Sequence, residues 1–517
     1  MTQRHSILST SLATTMIIAT GLGCGDDPRP VDASIPDRFR AFADRFERER
    51  RELEIPGAAV AIVEHGELAF AHGFGTKGID SDEPVDESTL FRIGSMSKLL
   101  TSLGVMSAVD DGLLDLDAPL SEAIPDLSLA GPEADALTLR RLLSQQTGLR
   151  DYLVIDGPRE DAALAEFASG RELVENVGFS NPPGVFWNYS NPNYYLAGRA
   201  LEAQAGGVYR DVVRERVLEP LGMDRSYFLP SEALADGDYS HGYGVAALDA
   251  DAVAPEDLGP DAYDNAWARP AGYAFSNVHD WARLMQFLMA GDSTVISDAA
   301  QSEVLSSQVS TRSIYSDLRA TALGLADDYG LGIGVGSGFF VDARAEPGLY
   351  YDMPFVGHGG DIPGFASTFV VFPSTGFGMV VLSNRDAERP VESMRLAFET
   401  FGGLPAPSAP PAGREPDPAR FGHYAGRYLD VDGVALEIAN EGGALRISGP
   451  LLDTQDIPYE AVLEPTSLDN FALWLTYQGE RIPLEVTFID DDAGGVWFRS
   501  RIAVARQSPP AATASVP

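Results

Sequence analysis

Cysteine and lysine are almost missing from this 517-residue chain. The single cysteine, Cys24, excludes an intramolecular disulfide and any Cys-based zinc site. Lysine occurs only at Lys77 and Lys98, so nearly all positive charge sits on arginine. The seven histidines are scattered, without the His-Glu-x-x-His spacing that sets two ligands on one helix face, which argues against a metal enzyme. Basic residues are scarce overall: 37 Lys and Arg against 76 Asp and Glu leave a net charge of −39. A nucleic-acid partner is thereby disfavoured, because affinity for phosphate backbones comes from clustered basic side chains. No run reaches the roughly 18 apolar residues of a membrane span. With 44% hydrophobic and 22% charged residues, the chain is globular and long enough for about two to four domains.

Residues 1–24 read as a secretory signal, with basic Arg4 and His5, a mostly apolar stretch from Ile7 to Ala19, and small residues before Cys24. Thr20-Gly21-Leu22-Gly23-Cys24 resembles a bacterial lipoprotein cleavage box, with Gly21 where Leu is usual. The expectation is an exported, periplasmic or envelope-anchored protein that meets the membrane only through lipid on Cys24. Residues 25–36 form an acidic tether.

Phe39, Phe42, Phe46 and Leu53 recur at helical spacing among charges, which predicts a helix packed by one face. Val60–Val63 and Leu68–Phe74 flank Glu64-His65-Gly66-Glu67 as a hairpin, and Phe365–Phe372 with Phe377–Ser383 make a second around Pro373–Gly376. Strands at both ends with helices between them predict an α+β domain over residues 37–402: an antiparallel sheet, helices and an inserted helical lobe. Prolines across residues 403–418 mark a stiff linker. Residues 419–506 alternate as short strands, Val496–Val504 among them, and predict a small all-β barrel or sandwich. Residues 507–517 read as a disordered tail.

Three segments could carry chemistry. Ser95-Met96-Ser97-Lys98 enters an apolar helix, which puts the Lys98 amine one turn from the Ser95 hydroxyl. A neutral amine there can take the proton of an otherwise weak nucleophile, a role closed to arginine. Tyr189-Ser190-Asn191 follows Pro182-Pro183-Gly184 and offers a phenol for proton relay and an amide for a substrate carbonyl. Gly357-His358-Gly359-Gly360-Asp361 precedes the Phe365 strand, where glycines let a substrate lie along a strand edge and a backbone N–H can serve an oxyanion. Each segment alone also fits a structural role, such as a capping serine, a surface lysine or a turn histidine.

Taken in order, the three motifs resemble those of serine β-lactamase and penicillin-binding-protein-like hydrolases, in the branch of class C β-lactamases, DD-peptidases, D-aminopeptidases and esterases. Leu142–Leu149, Tyr329-Gly330-Leu331-Gly332 and Val381-Leu382-Ser383-Asn384 are similar as well. The likeness runs from about Phe39 to Phe401, and the C-terminal strands are similar to a lipocalin-like barrel found in some members.

The resemblance implies an acyl-enzyme on Ser95, with Lys98 and Tyr189 sharing base and acid duty. Substrate would be held by Asn191, His358, Gly359 and Gly360, with the backbone N–H groups of Ser95 and Asp361 as oxyanion hole and no cofactor. The expected partner is a small peptide or ester, such as one derived from cell wall. A D-amino-acid peptide is the foremost substrate class; a carboxylesterase or weak β-lactamase on the same site is the alternative. Gly359 lacks the hydroxyl that relatives use to hold a carboxylate, and Asp361 adds a negative charge there, which ranks β-lactams low. Gln145, where relatives show His, bears on loop packing. No Gly-x-Ser-x-Gly pentad supports an α/β-hydrolase. A catalytically silent protein that holds a ligand in the cleft or barrel stays open.

Overall fold

The computed structural model describes residues 34–244, 256–311, 326–340, 350–386, 388–409, 415–453, 458–477, 480–491, 494–501 and 503–508. The expectations for the signal, Cys24, most of the tether, Pro410–Pro411 and the tail beyond residue 508 lie outside these residues.

The predicted first helix is α1 (Asp37–Glu52), which buries Phe39, Phe42, Ala43 and Phe46. Its rings meet those of the following hairpin, with Phe39 and Phe70 centroids 4.7 Å apart and Phe46 and Phe74 also 4.7 Å apart. That hairpin is β1 (Gly57–Glu64) and β2 (Glu67–Gly75). His65 and Gly66 turn between them at φ of 53° and 78°, the left-handed pair that matches the strand twist.

An eight-stranded sheet grows from β1. With β3 (Val309–Ser310), β4 (Asp328–Tyr329), β5 (Gly334–Gly336), β6 (Phe355–Ile362), β7 (Phe365–Phe372) and β8 (Phe377–Ser383), the order is β2-β1-β8-β7-β6-β5-β4-β3. The strand nearest the start of the domain therefore lies beside one of the last: Ala58 pairs with Ser383 and Val63 with Gly378. Residues of β1 alternate between two cores, Ala59, Ala61 and Val63 on one face and Ala58, Val60 and Ile62 on the other. Burial of both faces explains why β1 reads as a continuous apolar run rather than an alternation.

The first core includes the helical lobe. It holds α2 (Ser97–Asp110), buried on most of its circumference, α3 (Pro192–Ala205) and α4 (Val278–Ala290). The second is closed by α1 and by α5 (Val391–Phe401).

The C-terminal region is a closed barrel of β9 (Gly426–Leu429), β10 (Ala435–Glu441), β11 (Ala444–Ser448), β12 (Val462–Ser467), β13 (Asn470–Tyr477), β14 (Glu480–Asp490), β15 (Val496–Arg499) and β16 (Val504–Gln507). Pairing of Tyr428 with Gln507 closes it. The single strand expected over Val496–Val504 is instead two strands, β15 and β16, because Ser500 and Ala503 bond each other between them. Ser500 N–H bonds the Ala503 carbonyl at 2.8 Å and its hydroxyl accepts the Ala503 N–H at 3.1 Å, so a side chain supplies what a ladder would.

The barrel packs against the body. Ile489, Trp497 and Val504 form an apolar cluster with Phe186. Arg499 donates to the backbone carbonyls of Trp187 (2.9 Å) and Thr311 (2.8 Å). The linker is pinned too, since Ser408 and Tyr350 exchange two backbone hydrogen bonds of 2.8 and 2.9 Å.

Candidate active site

Ser95 does not open the α-helix itself; it lies in a 3-10 turn, Gly94–Met96, that leads into α2. The turn is fixed by the Ser97 hydroxyl, which donates to the Gly94 carbonyl at 2.7 Å and accepts the Ala274 N–H at 3.2 Å. The distance expected from the spacing holds: Lys98 Nζ is 3.0 Å from Ser95 Oγ. Tyr189 Oη–H donates to the same Ser95 Oγ at 2.8 Å.

Lys98 is fully buried, and its amine has two further contacts, Asn191 Oδ1 at 2.8 Å and the Ala271 carbonyl at 2.7 Å. Both are pure acceptors, so a neutral amine spends its two N–H groups on them and turns its lone pair to the Ser95 hydroxyl. Desolvation holds the Lys98 pKa well below the ordinary lysine value, a nearby Asp151 opposing this and Arg501 adding to it. The phenol of Tyr189 keeps its proton, since burial pushes its pKa up more than Arg501 and the Ser95 hydrogen bond pull it down.

Asn191 is nine-tenths buried or more, and it works inside the protein as well as toward a substrate. Besides receiving Lys98, it donates its backbone N–H (2.9 Å) and one side-chain N–H (3.0 Å) to Asp151 Oδ1. One amide N–H is left for a ligand. Gln145 behaves as expected of a loop-packing residue: at φ 61° it accepts Ser190 N–H at 2.9 Å and also holds the Asn193 side chain.

The third motif lies ahead of the Phe365 strand, as expected, and is itself a strand, β6, paired with β7. Strand β5 covers only Phe355–Gly357, so among the described residues His358–Ile362 have a strand partner on the β7 side alone. Asp361 stands one pair in from the Pro363-Gly364 turn, where the antiparallel alternation aims its amide away from β7, at the open edge. Two glycines bring that edge against the nucleophile. A Cβ on Gly94 would sit 2.8 Å from Asp361 N, and one on Gly360 would sit 2.0 Å from the Ile93 carbonyl oxygen. Any side chain at either position would push β6 away from the Ser95 turn.

His358 is buried, with its pKa lowered to about 4, first by desolvation and then by Lys98. Nδ1 meets the Gly359 carbonyl, which makes it the protonated nitrogen, and Nε2 accepts from Tyr329 Oη at 3.1 Å. Both nitrogens are occupied and the ring is neutral, so it supplies no cation to a substrate. The repulsion expected from Asp361 needs correcting: Arg389, almost fully buried, lies 3.0 Å from its Oδ1 and counters the charge.

Motif reasoning missed Asp151, Arg501, the Ala271 carbonyl, Tyr329's partnership with His358, and Arg389. Asp151 stood two residues beyond a segment already singled out, Leu142–Leu149. Arg501, on the Ser500–Ala503 turn of the barrel, carried no signal. Its Nη2 is 3.1 Å from Asp151 Oδ2 and its guanidinium lies 4.7 Å from the Tyr189 ring centroid.

A match to the family described as Beta-lactamase covers residues 42–399. Penicillin-binding protein 4 of Amycolatopsis lactamdurans is 28% identical over 401 residues, 75% of this chain and 96% of that protein. Among solved structures, SurE with D-Leu is similar at a TM-score of 0.65 and 21% identity, covering 91% of this chain and 99% of its own. The D-amino acid amidase from Ochrobactrum anthropi SV3, complexed with L-phenylalanine amide, gives a TM-score of 0.57 at 21% identity, covering 71% and 99%.

Proposed function

This chain belongs to the Beta-lactamase family of serine hydrolases, and from that premise we propose that it cleaves a D-amino-acid-containing peptide or amide, of DD-carboxypeptidase or D-aminopeptidase type, through an acyl-enzyme on Ser95. The observation that carries this reading is the Lys98 amine, dry, held by two acceptors, and facing the Ser95 hydroxyl.

In the first half-reaction Ser95 Oγ attacks the scissile carbonyl and its proton passes to Lys98. The N–H groups of Ser95 and Asp361 receive the developing oxyanion. Collapse breaks the C–N bond as Lys98, through Tyr189, returns the proton to the leaving amine. Water then repeats the sequence on the ester and frees Ser95. The free Asn191 N–H holds the substrate amide.

Substrate class rests on two supports. SurE was solved with D-Leu and a D-amino acid amidase shares the fold. The third motif offers neither a hydroxyl at Gly359 nor a cation at His358, which leaves a β-lactam carboxylate without an anchor there. For location, residues 1–24 support export with lipid on Cys24; loss of membrane association in Cys24→Ala would bear this out, and unchanged association would remove it.

The test of the activity is intact mass spectrometry after exposure to a fluorophosphonate and to a fluorescent penicillin, with D- and L-alanine p-nitroanilide as turnover substrates. Expected are a fluorophosphonate adduct, weak penicillin labelling and preference for the D-isomer, all lost in Ser95→Ala with unfolding temperature unchanged. Turnover retained in Ser95→Ala would sink the nucleophile assignment, and equal use of both isomers would sink the substrate class.

A further inference from the structure

The barrel looks first like a container for a ligand, and its interior argues otherwise. Rings of Phe421, Tyr424, Tyr428, Phe471, Phe488 and Phe498 fill it together with aliphatic side chains such as Leu436, Ile447 and Val486, Tyr424 stacking on Phe488 with centroids 4.5 Å apart. What the barrel offers the body lies on its outside: Ile489, Trp497 and Val504 against Phe186, and beside them the polar Arg499 and Arg501.

We propose that Arg501, carried by the barrel, is a positioning residue for the catalytic base, acting on Lys98 through Asp151 and Asn191. This rests on the reading of Lys98 as base.

The path is continuous. Arg501 Nη2 bonds Asp151 Oδ2 (3.1 Å), and Asp151 Oδ1 receives the backbone and side-chain N–H of Asn191. Asn191 Oδ1 in turn receives Lys98 (2.8 Å), which faces Ser95. Three residues of chain hold Arg501 in place. Ser500 closes the turn on Ala503, Arg499 bonds Trp187 O, Thr311 O and Thr487 Oγ1, and Trp497 packs on Phe186. Two of these, Arg499 on Trp187 O and Trp497 on Phe186, reach the loop that ends in Tyr189.

The charges explain why a cation is needed. Asp151 is required to orient Asn191, and a carboxylate so near a buried amine favours the ammonium, which has no lone pair for Ser95. Arg501 opposes that field from the far side of the same carboxylate, so the orienting group stays while its charge is countered. The other titratable groups around Lys98 do not do this. Tyr189 and Tyr194 are protonated phenols, His358 is neutral, and the Asp361 charge is taken up by Arg389.

The test is the rate of fluorophosphonate labelling of Ser95 as a function of pH in the full-length chain, for wild type, Arg501→Gln, Arg501→Lys and the double variant Asp151→Asn/Arg501→Gln. Labelling needs an activated serine and no particular substrate. In wild type the rate is expected to rise through an acidic limb as Lys98 loses its proton. Arg501→Gln should move that limb upward by about one pH unit, a roughly tenfold loss on the limb that recovers at higher pH. Arg501→Lys should keep the limb within about threefold of wild type, and removing both charges should return it toward wild type. An unmoved limb in Arg501→Gln overturns the inference. So does a limb displaced as far in Arg501→Lys or in the double variant, because a folding or docking defect would ignore charge. Wild type unlabelled at every pH overturns the reading of Lys98 as base together with this one; wild type labelled normally with Arg501→Gln unmoved overturns this one alone.

Discussion

The body and the barrel place their polar groups in opposite positions. At the centre of the body Lys98, Asn191 and His358 are buried together, each with partners for its polar atoms. The barrel fills its interior with aromatic and aliphatic side chains and sends Arg499 and Arg501 outward to the body. A buried amine is tolerated only when it sheds its proton or finds acceptors, and shedding it makes a base. The contrast assigns chemistry to the body and placement to the barrel.

The comparison breaks if the body's buried amine is dispensable. Lys98→Arg keeps a cation but cannot supply a lone pair, and labelling of Ser95 should fall by roughly a thousandfold. Near-wild-type labelling by mass spectrometry would remove Lys98 from the base role.

Substitutions in the barrel should act on stability before chemistry. Phe488→Ala empties a site between Tyr424, Tyr428, Phe471 and Phe498 and should cost about 3–5 kcal/mol in the barrel's unfolding transition by calorimetry. A change well below that would mean the lumen has slack for a ligand after all. At the seam, Trp497→Ala removes the ring facing Phe186, with centroids 5.6 Å apart, and should weaken docking by about 2 kcal/mol. The expected sign is earlier unfolding of the barrel in calorimetry with the body's transition in place; a shift of the body alone would contradict the seam.

The smallest effect sharpens the contrast from the body's side. Burial raises the Glu202 carboxyl to about 7 against a free value of 4.5, despite the hydrogen bond it accepts from Tyr209 N–H. The folded state therefore holds this proton longer than the unfolded one does. Its contribution is complete below about pH 4.5 and is lost as pH rises through 7. Glu202→Gln should flatten that slope in the body's unfolding temperature, whereas an unchanged slope would assign it to other groups.

Ser95 with Lys98, and Tyr189 with Asn191, were legible because three- and two-residue spacings fix relative positions whatever the surroundings. The β1–β2 and β7–β8 hairpins were legible for the same reason: turn residues and period-two alternation are local. Alternation is blind to a hydroxyl that ends a strand, so Val496–Val504 read as one strand although Ser500 closes a turn. Asp361 carried a charge in the sequence, but its neutralisation by Arg389 appears only when α5's leading segment meets β6. His358 could be read as polar, yet its neutrality follows from burial and two partners that spacing does not show.

Short-range pattern thus settled which side chains could react and on what kind of fold, since bond geometry ties neighbours within a turn or a strand. Folding decided which of them are dry, which are paired, and which cation meets the carboxylate behind Asn191. Asp151 and Arg501 are 350 residues apart in the chain and 3.1 Å apart in space. Electrostatic compensation depends on the second distance alone.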